Sequence, residues 1–246
     1  MGKVIAVASG KGGTGKTTTV AAVASCTAML GFRTLGIDFD AGLRNLDLAL
    51  CMSDYAVADF VDVTSARLSL TDACHESPHT PNLFFLAAPA IFSEQALAQV
   101  DAGPMLSEAR KEFDYTFIDT PAGISAGFKL AHCDCDMSVI VTTGELPAMR
   151  DAQMAAGAVR DMGVGEVRLL INRVSPAVLR KIHTTYDDVI DTVGAQLIGA
   201  VREDRSVILS LHRNIPLISL KKRGSIRDFL DVARRITGED IPLRYC

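Results

Sequence analysis

The chain has 246 residues, of which 48% are hydrophobic and 22% charged, with 25 basic against 29 acidic side chains and a net charge of −4. This composition is typical of a globular protein and excludes a disordered one, and the slightly acidic balance predicts no nucleic-acid partner. Six dispersed cysteines do not form a disulfide framework, and no apolar run reaches the roughly 20 residues of a membrane-spanning helix. A cytoplasmic protein is therefore expected.

Short β-rich segments alternate with longer helical ones along the chain. The predicted strands are Lys3 to Ala8, Thr34 to Asp38, Leu83 to Ala87, Tyr115 to Asp119, Ser138 to Thr142, Val167 to Asn172 and Gln196 to Val201. The predicted helices are Lys16 to Leu30, Glu94 to Phe113, Ala148 to Met162, Ala177 to Thr192 and Ser225 to Thr237. The strands are continuous apolar runs, which is typical of parallel strands covered by helices on both faces. The pattern predicts a doubly wound, mostly parallel α/β sheet in a single domain over residues 1–246.

The segment between the first strand and the first helix carries a phosphate-binding motif. It reads Gly10-Lys11-Gly12-Gly13-Thr14-Gly15-Lys16-Thr17 and matches the pattern GxxxxGK[ST]. The glycines let successive backbone N–H groups point at phosphate, and the helix adds its positive N-terminal end. Lys16 is expected to reach the β- and γ-phosphates, Thr17 to bind Mg²⁺ and Thr18 to reach the α-phosphate.

The alternative for this segment is a glycine-rich turn without a ligand, a match that chance produces in about one chain in a hundred or fewer. The strand-loop-helix context favours the functional interpretation. The sequence therefore predicts a P-loop NTPase that uses ATP and Mg²⁺.

Two of the predicted strands end in carboxylates. Asp38 and Asp40 close one strand and Asp119 closes another, and ligands lie beyond the carboxyl ends of the strands in an open α/β sheet. Asp119 has the placement of a Walker B carboxylate that holds Mg²⁺ through water, and Asp38 is assigned to the same metal site as Asp119 and Thr17. Asp40 is expected to orient the attacking water. Capping of a helix or turn is the alternative role of a strand-end Asp.

Lys11 makes the loop KGGTGKT, which resembles the deviant Walker A box of the ParA/MinD family. The stretch Asp38 to Asp47, DFDAGLRNLD, and the stretch DTPAG from Asp119 resemble the division-site branch of that family. The RNL element makes this match specific, because other relatives lack it. The resemblance covers about the whole chain and is weakest from Cys51 to Asn82.

The resemblance implies a slow, partner-stimulated ATPase that acts as an ATP-dependent dimerisation switch in division-site placement. Lys11 would reach across the dimer to the partner's nucleotide and act in catalysis with Lys16 and Asp40. Asn172 and Arg173 resemble the adenine-reading site of the family. Arg150 and Asp151, in GELPAMRD, resemble its partner-binding helix, which implies partners of the division-inhibitor or ATPase-activator type. A scaffold that positions another cargo with the same switch is the alternative.

Two departures from the family pattern bear on function. Arg202 stands where the family's VPED loop has a proline, and this replacement is expected to alter how the loop lies against the adenine. The sequence stops at Arg244-Tyr245-Cys246, about where the family continues into a basic amphipathic helix that binds membrane. Membrane association at the inner face of the cell membrane is therefore expected only through a partner.

Two other features are assigned to structure. Cys133 and Cys135 are interpreted as packing residues rather than metal ligands. The basic run Lys221-Lys222-Arg223 is interpreted as a solvated cap before the last helix.

Overall fold

One eight-stranded sheet organises the computed structural model, which describes residues 1–220 and 224–243. The predictions made for Lys221 to Arg223 and for Arg244 to Cys246 lie outside these residues. The strands are β1 (Lys3–Ala8), β2 (Thr34–Asp38), β3 (His75–Glu76), β4 (Leu83–Leu86), β5 (Tyr115–Asp119), β6 (Met137–Thr142), β7 (Glu166–Val174) and β8 (Gln196–Arg202). Their order is β3-β4-β2-β5-β1-β6-β7-β8, and β3 pairs antiparallel with β4 while the other ladders are parallel. The predicted mostly parallel sheet is confirmed.

Helices cover both faces of this sheet. They are α1 (Lys16–Met29), α2 (Leu46–Leu50), α3 (Phe60–Thr64), α4 (Leu70–Ala73), α5 (Glu94–Leu97), α6 (Gly103–Glu112), α7 (Ala126–Ala131), α8 (Leu146–Asp161), α9 (Pro176–Lys181), α10 (Tyr186–Val193), α11 (Arg205–Arg213) and α12 (Ser225–Ile236). Alternate residues of β1 face opposite cores: Ile5 and Val7 pack with α1 and α12, whereas Val4 packs with α6 and Ala8 with α8. A strand buried on both sides reads as one apolar run, as the sequence does.

Two predicted helices are wrong in extent, since each is a pair of helices. The segment Glu94 to Phe113 breaks after α5, and α6 starts with Pro104 in its first turn, where a missing N–H does no harm. The segment Ala177 to Thr192 breaks between α9 and α10. There His183 takes a φ of 51°, and Thr185 caps α10 through a reciprocal pair of hydrogen bonds with Asp188. Strand β3 and helices α2, α3, α4, α7 and α11 were not predicted.

The β7–β8 ladder carries two irregularities. Ile198 is an extra residue in β8, and its carbonyl accepts a hydrogen bond of 2.8 Å from Arg235 Nη1 of α12. Closer to the carboxyl end of the sheet, Asn172 and Arg173 together lie opposite Val201. Irregular ladders of this kind redirect side chains and are common beside functional sites.

Helix α12 buries its apolar stripe in the core. Ile226, Phe229, Ala233 and Ile236 are buried, and Leu230 packs partly buried against the same core. Within residues 1–220 and 224–243, none of the helices combines the length and the apolar character needed to span a bilayer.

Candidate functional site

A cavity of about 560 Å³ lies over the N-terminus of α1, at the carboxyl edge of the sheet. The glycine loop forms its floor, through residues 12–13 and 15–18. Asp40 and Ala122 line it from the ends of β2 and β5, and Arg173 lines it from β7. The structure therefore gathers in one place the motifs that the sequence separates by more than a hundred residues.

Asn172 braces the glycine loop. Its Nδ2 donates a hydrogen bond of 2.8 Å to the carbonyl of Thr14, and the side chain is buried. Gly15 has a φ of 96°, and a Cβ at this position would collide with Asn172 Nδ2. Only glycine combines this backbone conformation with so close an approach. The base-reading role of Asn172 stays a prediction, and the structure adds a contact that holds the loop.

The two lysines of the loop have opposite environments. Lys16 is buried, and burial lowers the pKa of its ammonium while the nearby Asp119 and Asp40 act to raise it. Lys11 is exposed, as are Gly12 and Gly13 beside it. Lys16 therefore faces the cleft within its own chain, whereas Lys11 is accessible to a second molecule.

Asp119 is a buried carboxyl group that forms no ion pair within hydrogen-bonding distance among the described residues. It is fully buried beside Asp38 in the β2–β5 register, and neither of its oxygens has a hydrogen-bond partner in the described part of the chain. Burial first and Asp38 second raise the pKa of Asp119 to about 8, while the nearby Thr17 hydroxyl and then the charge of Lys16 act to lower it. An orphaned buried carboxylate is costly unless a cation or a proton meets it, so Asp119 suits a metal site.

Asp38 is engaged in holding the adjacent loop. Its Oδ1 accepts a hydrogen bond of 2.8 Å from the backbone N–H of Asp40, and its Oδ2 accepts one of 3.1 Å from Leu46 at the start of α2. Burial raises the pKa of Asp38 to about 6 against these two bonds. The capping role considered as the alternative for strand-end Asp residues therefore applies to Asp38. Each of its oxygens still has a lone pair that could bind a metal ion, so the metal role of Asp38 stays a prediction.

Asp40 is half-buried and lines the cleft directly. Burial raises the pKa of its carboxyl, and the charge of Lys16 opposes that shift. A carboxylate at the rim of a phosphate cleft is suitably placed to accept a hydrogen bond from water.

The available oxygen ligands suit a Mg²⁺ ion that keeps several waters better than an ion that is enclosed entirely by protein ligands. The described residues contain no group of three or more His, Cys, Asp or Glu side chains arranged to hold an ion. Mg²⁺ usually takes one or two protein ligands and completes its shell with water and substrate phosphate. Asp119 and the half-buried Thr17 at the head of α1 meet that requirement.

The two predicted partner-binding residues on α8 face different ways. Arg150 is exposed, whereas Asp151 is half-buried and its backbone packs on Gly10 at the start of the loop. A Cβ at Gly10 would collide with the Asp151 carbonyl. Helix α8, which exposes Arg150 on one side, therefore packs directly on the phosphate loop through the backbone of Asp151.

Sequence reasoning missed several walls of the cleft. Leu48 of α2 and Leu211 and His212 of α11 line it. Cap residues were the available signal for α11, because Asp204 caps its start and Asn214 ends it in the left-handed conformation.

Comparison with known proteins gives the family. Residues 5–217 match the model described as the CobQ/CobB/MinD/ParA nucleotide binding domain. The chain belongs to this family. The septum site-determining protein MinD of Synechocystis sp. is 35% identical over 245 residues, which covers 98% of this chain and 92% of the relative. The predicted relationship to the division-site ATPases is confirmed, and with it the nucleotide-binding ATPase class.

Two solved structures have the same fold. The MinD chain of a MinC:MinD cell division protein complex from Aquifex aeolicus superposes with a TM-score of 0.88 at 30% identity, over 99% of this chain and 98% of that one. A septum site-determining MinD complexed with Mg-ADP from Pyrococcus horikoshii gives a TM-score of 0.84 at 22% identity, over 97% of each chain. At that lower identity the second match shows the fold alone.

Proposed function

We propose that the chain binds Mg²⁺·ATP in the cleft above α1 and that the bound nucleotide switches it between a monomer and a dimer in division-site placement. The observation that carries the proposal is that the buried ammonium of Lys16 lies near the buried carboxyl of Asp119, whose oxygens have no hydrogen-bond partner among the described residues, at the head of a glycine loop. Triphosphate with its cation supplies the charges that each of these groups lacks. Residues 1–246 act as one domain in this proposal.

Each residue of the cleft has a defined role in the proposal. The backbone from Gly10 to Thr18 and the ammonium of Lys16 hold the phosphates. Thr17 and Asp119 hold Mg²⁺, with Asp38 behind them, and the ion when bound neutralises charge on the phosphate oxygens. Asp40 orients the attacking water, and Asn172 and Arg173 form the base side.

Lys11 and the apolar rim of the cleft support the dimer. Lys11 is exposed next to Gly12 of the cleft floor, and Leu43, Leu48 and Leu211 of the cleft lining are each about half exposed or more, at 67%, 53% and 46%. Large aliphatic side chains that share a rim with charged groups are typical of a surface that another protein covers. In a two-fold dimer the same rim meets itself. The resemblance of the loop to the deviant Walker A box implies that Lys11 of each protomer then faces the nucleotide of the other.

Helix α8 is the proposed contact for protein partners. Arg150 and the neighbouring Leu146 and Met154 are exposed along it, and Asp151 touches the phosphate loop. A division inhibitor or an ATPase activator bound to this face would be sensitive to the state of the loop. The MinC:MinD complex of Aquifex aeolicus supports a division inhibitor as one such partner. We expect slow hydrolysis that a partner accelerates, and membrane contact through a partner.

The test is the mass of the chain by light scattering with and without Mg²⁺·ATP. Wild type should double its mass with ATP, and Lys11→Ala should bind ATP but stay monomeric. Lys111→Ala, an exposed lysine on α6, is the matched control and should dimerise normally. A wild-type mass that ignores ATP, or a Lys11→Ala variant that dimerises and turns over ATP, would contradict the proposal.

A further inference from the structure

The segment that follows β8 is fastened to α12 by an ion pair. Arg202 donates to the buried carboxylate of Asp228 through Nε at 2.7 Å and through Nη2 at 2.8 Å. The backbone N–H of Arg202 donates to the same carboxylate at 3.1 Å. A bidentate guanidinium and carboxylate fix orientation as well as distance. A proline, the residue of the family pattern at this position, has neither the side chain nor the N–H to make these bonds.

Asp204 fastens the segment a second time. Its carboxylate caps α11 by accepting from the Ser206 N–H at 2.9 Å, and it also accepts from the N–H and the hydroxyl of Ser225 at 2.9 and 3.0 Å. Burial acts in the other direction, but these hydrogen bonds lower the pKa of Asp204 to about 2. Gly224 lies so close that a Cβ there would collide with Asp204. The carboxylate therefore ties the starts of α11 and α12 together.

Glu203, held between these two anchors, leads back to the phosphate loop. Its N–H donates to the carbonyl of Val174 at 3.0 Å, directly after Arg173, whose φ is 53°. Glu203 and Arg173 also line a neighbouring pocket together with residues 11–14, and this pocket shares Gly12, Gly13 and Arg173 with the cleft. Asn172 closes the series with its bond to Thr14. A continuous line of contacts thus runs from α12 to the glycine loop.

We propose that Arg202 is a positioning residue for the base side of the nucleotide site, which it fixes by tying the loop of residues 202–204 to Asp228 of α12. This inference rests on the proposed nucleotide binding and specifies which residue of this chain sets the base contact. Its consequence is that the loop owes its position to an ion pair with α12 instead of to the ring of a proline. Loss of the pair frees Glu203 and Arg173 and leaves the phosphate contacts of Lys16 in place.

The test compares ATP with inorganic tripolyphosphate, which has no base, by calorimetry in the presence of Mg²⁺. Arg202→Ala and Asp228→Asn should raise the Kd for ATP about tenfold, a typical size for coupling between two sites, and reduce the preference for ATP over GTP. The Kd for tripolyphosphate should stay unchanged. Arg202→Lys, which keeps the charge and part of the hydrogen bonding, should recover part of the affinity.

Arg168→Ala is the matched control, because it removes an arginine paired with Glu166 at the opposite end of β7. It should leave both affinities unchanged. Folded Arg202→Ala and Asp228→Asn proteins with wild-type ATP affinity and wild-type ATP preference would overturn the inference, as would an equal loss for ATP and tripolyphosphate. A wild type that binds neither ligand would overturn the proposed function itself, which separates the two failures.

Discussion

In the nucleotide site proposed above, the phosphate side and the base side differ in how the charges of their side chains are balanced. On the phosphate side, Lys16 and Asp119 are buried with perturbed pKa values, and Asp119 has no hydrogen-bond partner among the described residues. On the base side, Asn172, Arg202 and Asp204 have their hydrogen bonds made within the chain. One side depends on charges that a ligand brings, whereas the other is already organised.

Substitutions on the two sides should therefore have different effects. On the phosphate side the ligand compensates the buried charges, so removing one of them should lower ligand affinity more than any change on the base side. Removing a contact on the base side loosens a structure that exists before binding, so smaller effects on affinity and stability are expected.

The largest effect is expected for Lys16→Ala. The Kd for ATP should rise on the order of a thousandfold, because loss of one partner of a buried charged contact costs about 2–5 kcal/mol or more. Calorimetry with Mg²⁺·ATP measures this Kd. Lys11→Ala is the control, and its monomer should bind ATP with nearly unchanged affinity. Equal affinities of wild type and Lys16→Ala would place the phosphates elsewhere.

Asp40→Ala should separate binding from turnover on the phosphate side. The variant should bind ATP and form a long-lived dimer, but its single-turnover rate should fall roughly a hundredfold or more, as for loss of a group that positions or activates water. The contacts of Lys16, Thr17 and Asp119 are retained. Normal partner-stimulated turnover would contradict the role given to Asp40.

Asp119→Asn should stabilise the nucleotide-free chain while it removes the dependence of ATP binding on Mg²⁺. With a folded pKa of about 8, the carboxyl of Asp119 must take up a proton when the chain folds at neutral pH; a neutral amide avoids this cost, which is expected to add about 1–3 kcal/mol to the free energy of unfolding in EDTA. The folded pKa of about 8 lies above the ordinary value of 3.8, so the Asp119 contribution to stability is present below pH 4 and is lost as the pH rises to 8. The variant should lack this loss in urea unfolding, and a less stable variant would refute the assignment.

The smallest effect is expected on the base side for Asn172→Ala. The hydrogen bond to the Thr14 carbonyl is lost, which should lower the free energy of unfolding by about 1 kcal/mol and weaken ATP binding moderately. Asn45→Ala, an exposed asparagine at the rim of the same cleft, is the control. A thousandfold loss of ATP affinity in Asn172→Ala would contradict the expected difference between the phosphate side and the base side.

Local sequence pattern was sufficient for the central sheet and for the position of the glycine loop between β1 and α1. β1, β2 and β5 lie at the predicted residues, because each is a short apolar run that ends in a turn or an acidic residue. Residues 10–17 are contiguous, so their common geometry follows from the sequence alone.

The features that could not be predicted from the sequence depend on contacts between residues far apart in the chain. The bond from Asn172 to Thr14 joins residues 158 positions apart, and no local pattern encodes it. Asp38, Asp40 and Asp119 look alike as strand-end carboxylates, and only their hydrogen bonds and burial distinguish them. The break between α5 and α6 is the opposite case, since Gly103 and Pro104 were visible in the sequence and signalled a helix start.

The irregular edge at β8 has a consequence for how copies of the chain can assemble. An exposed sheet edge is a template for adding a strand from another molecule, which leads to open aggregates. Here the extra residue Ile198 interrupts the regular ladder and gives its carbonyl to Arg235, and the other edge ends in β3, a strand of only two residues. Both edges therefore disfavour strand addition. The proposed dimer instead uses side chains at the carboxyl end of the sheet, where a bound nucleotide would control its assembly.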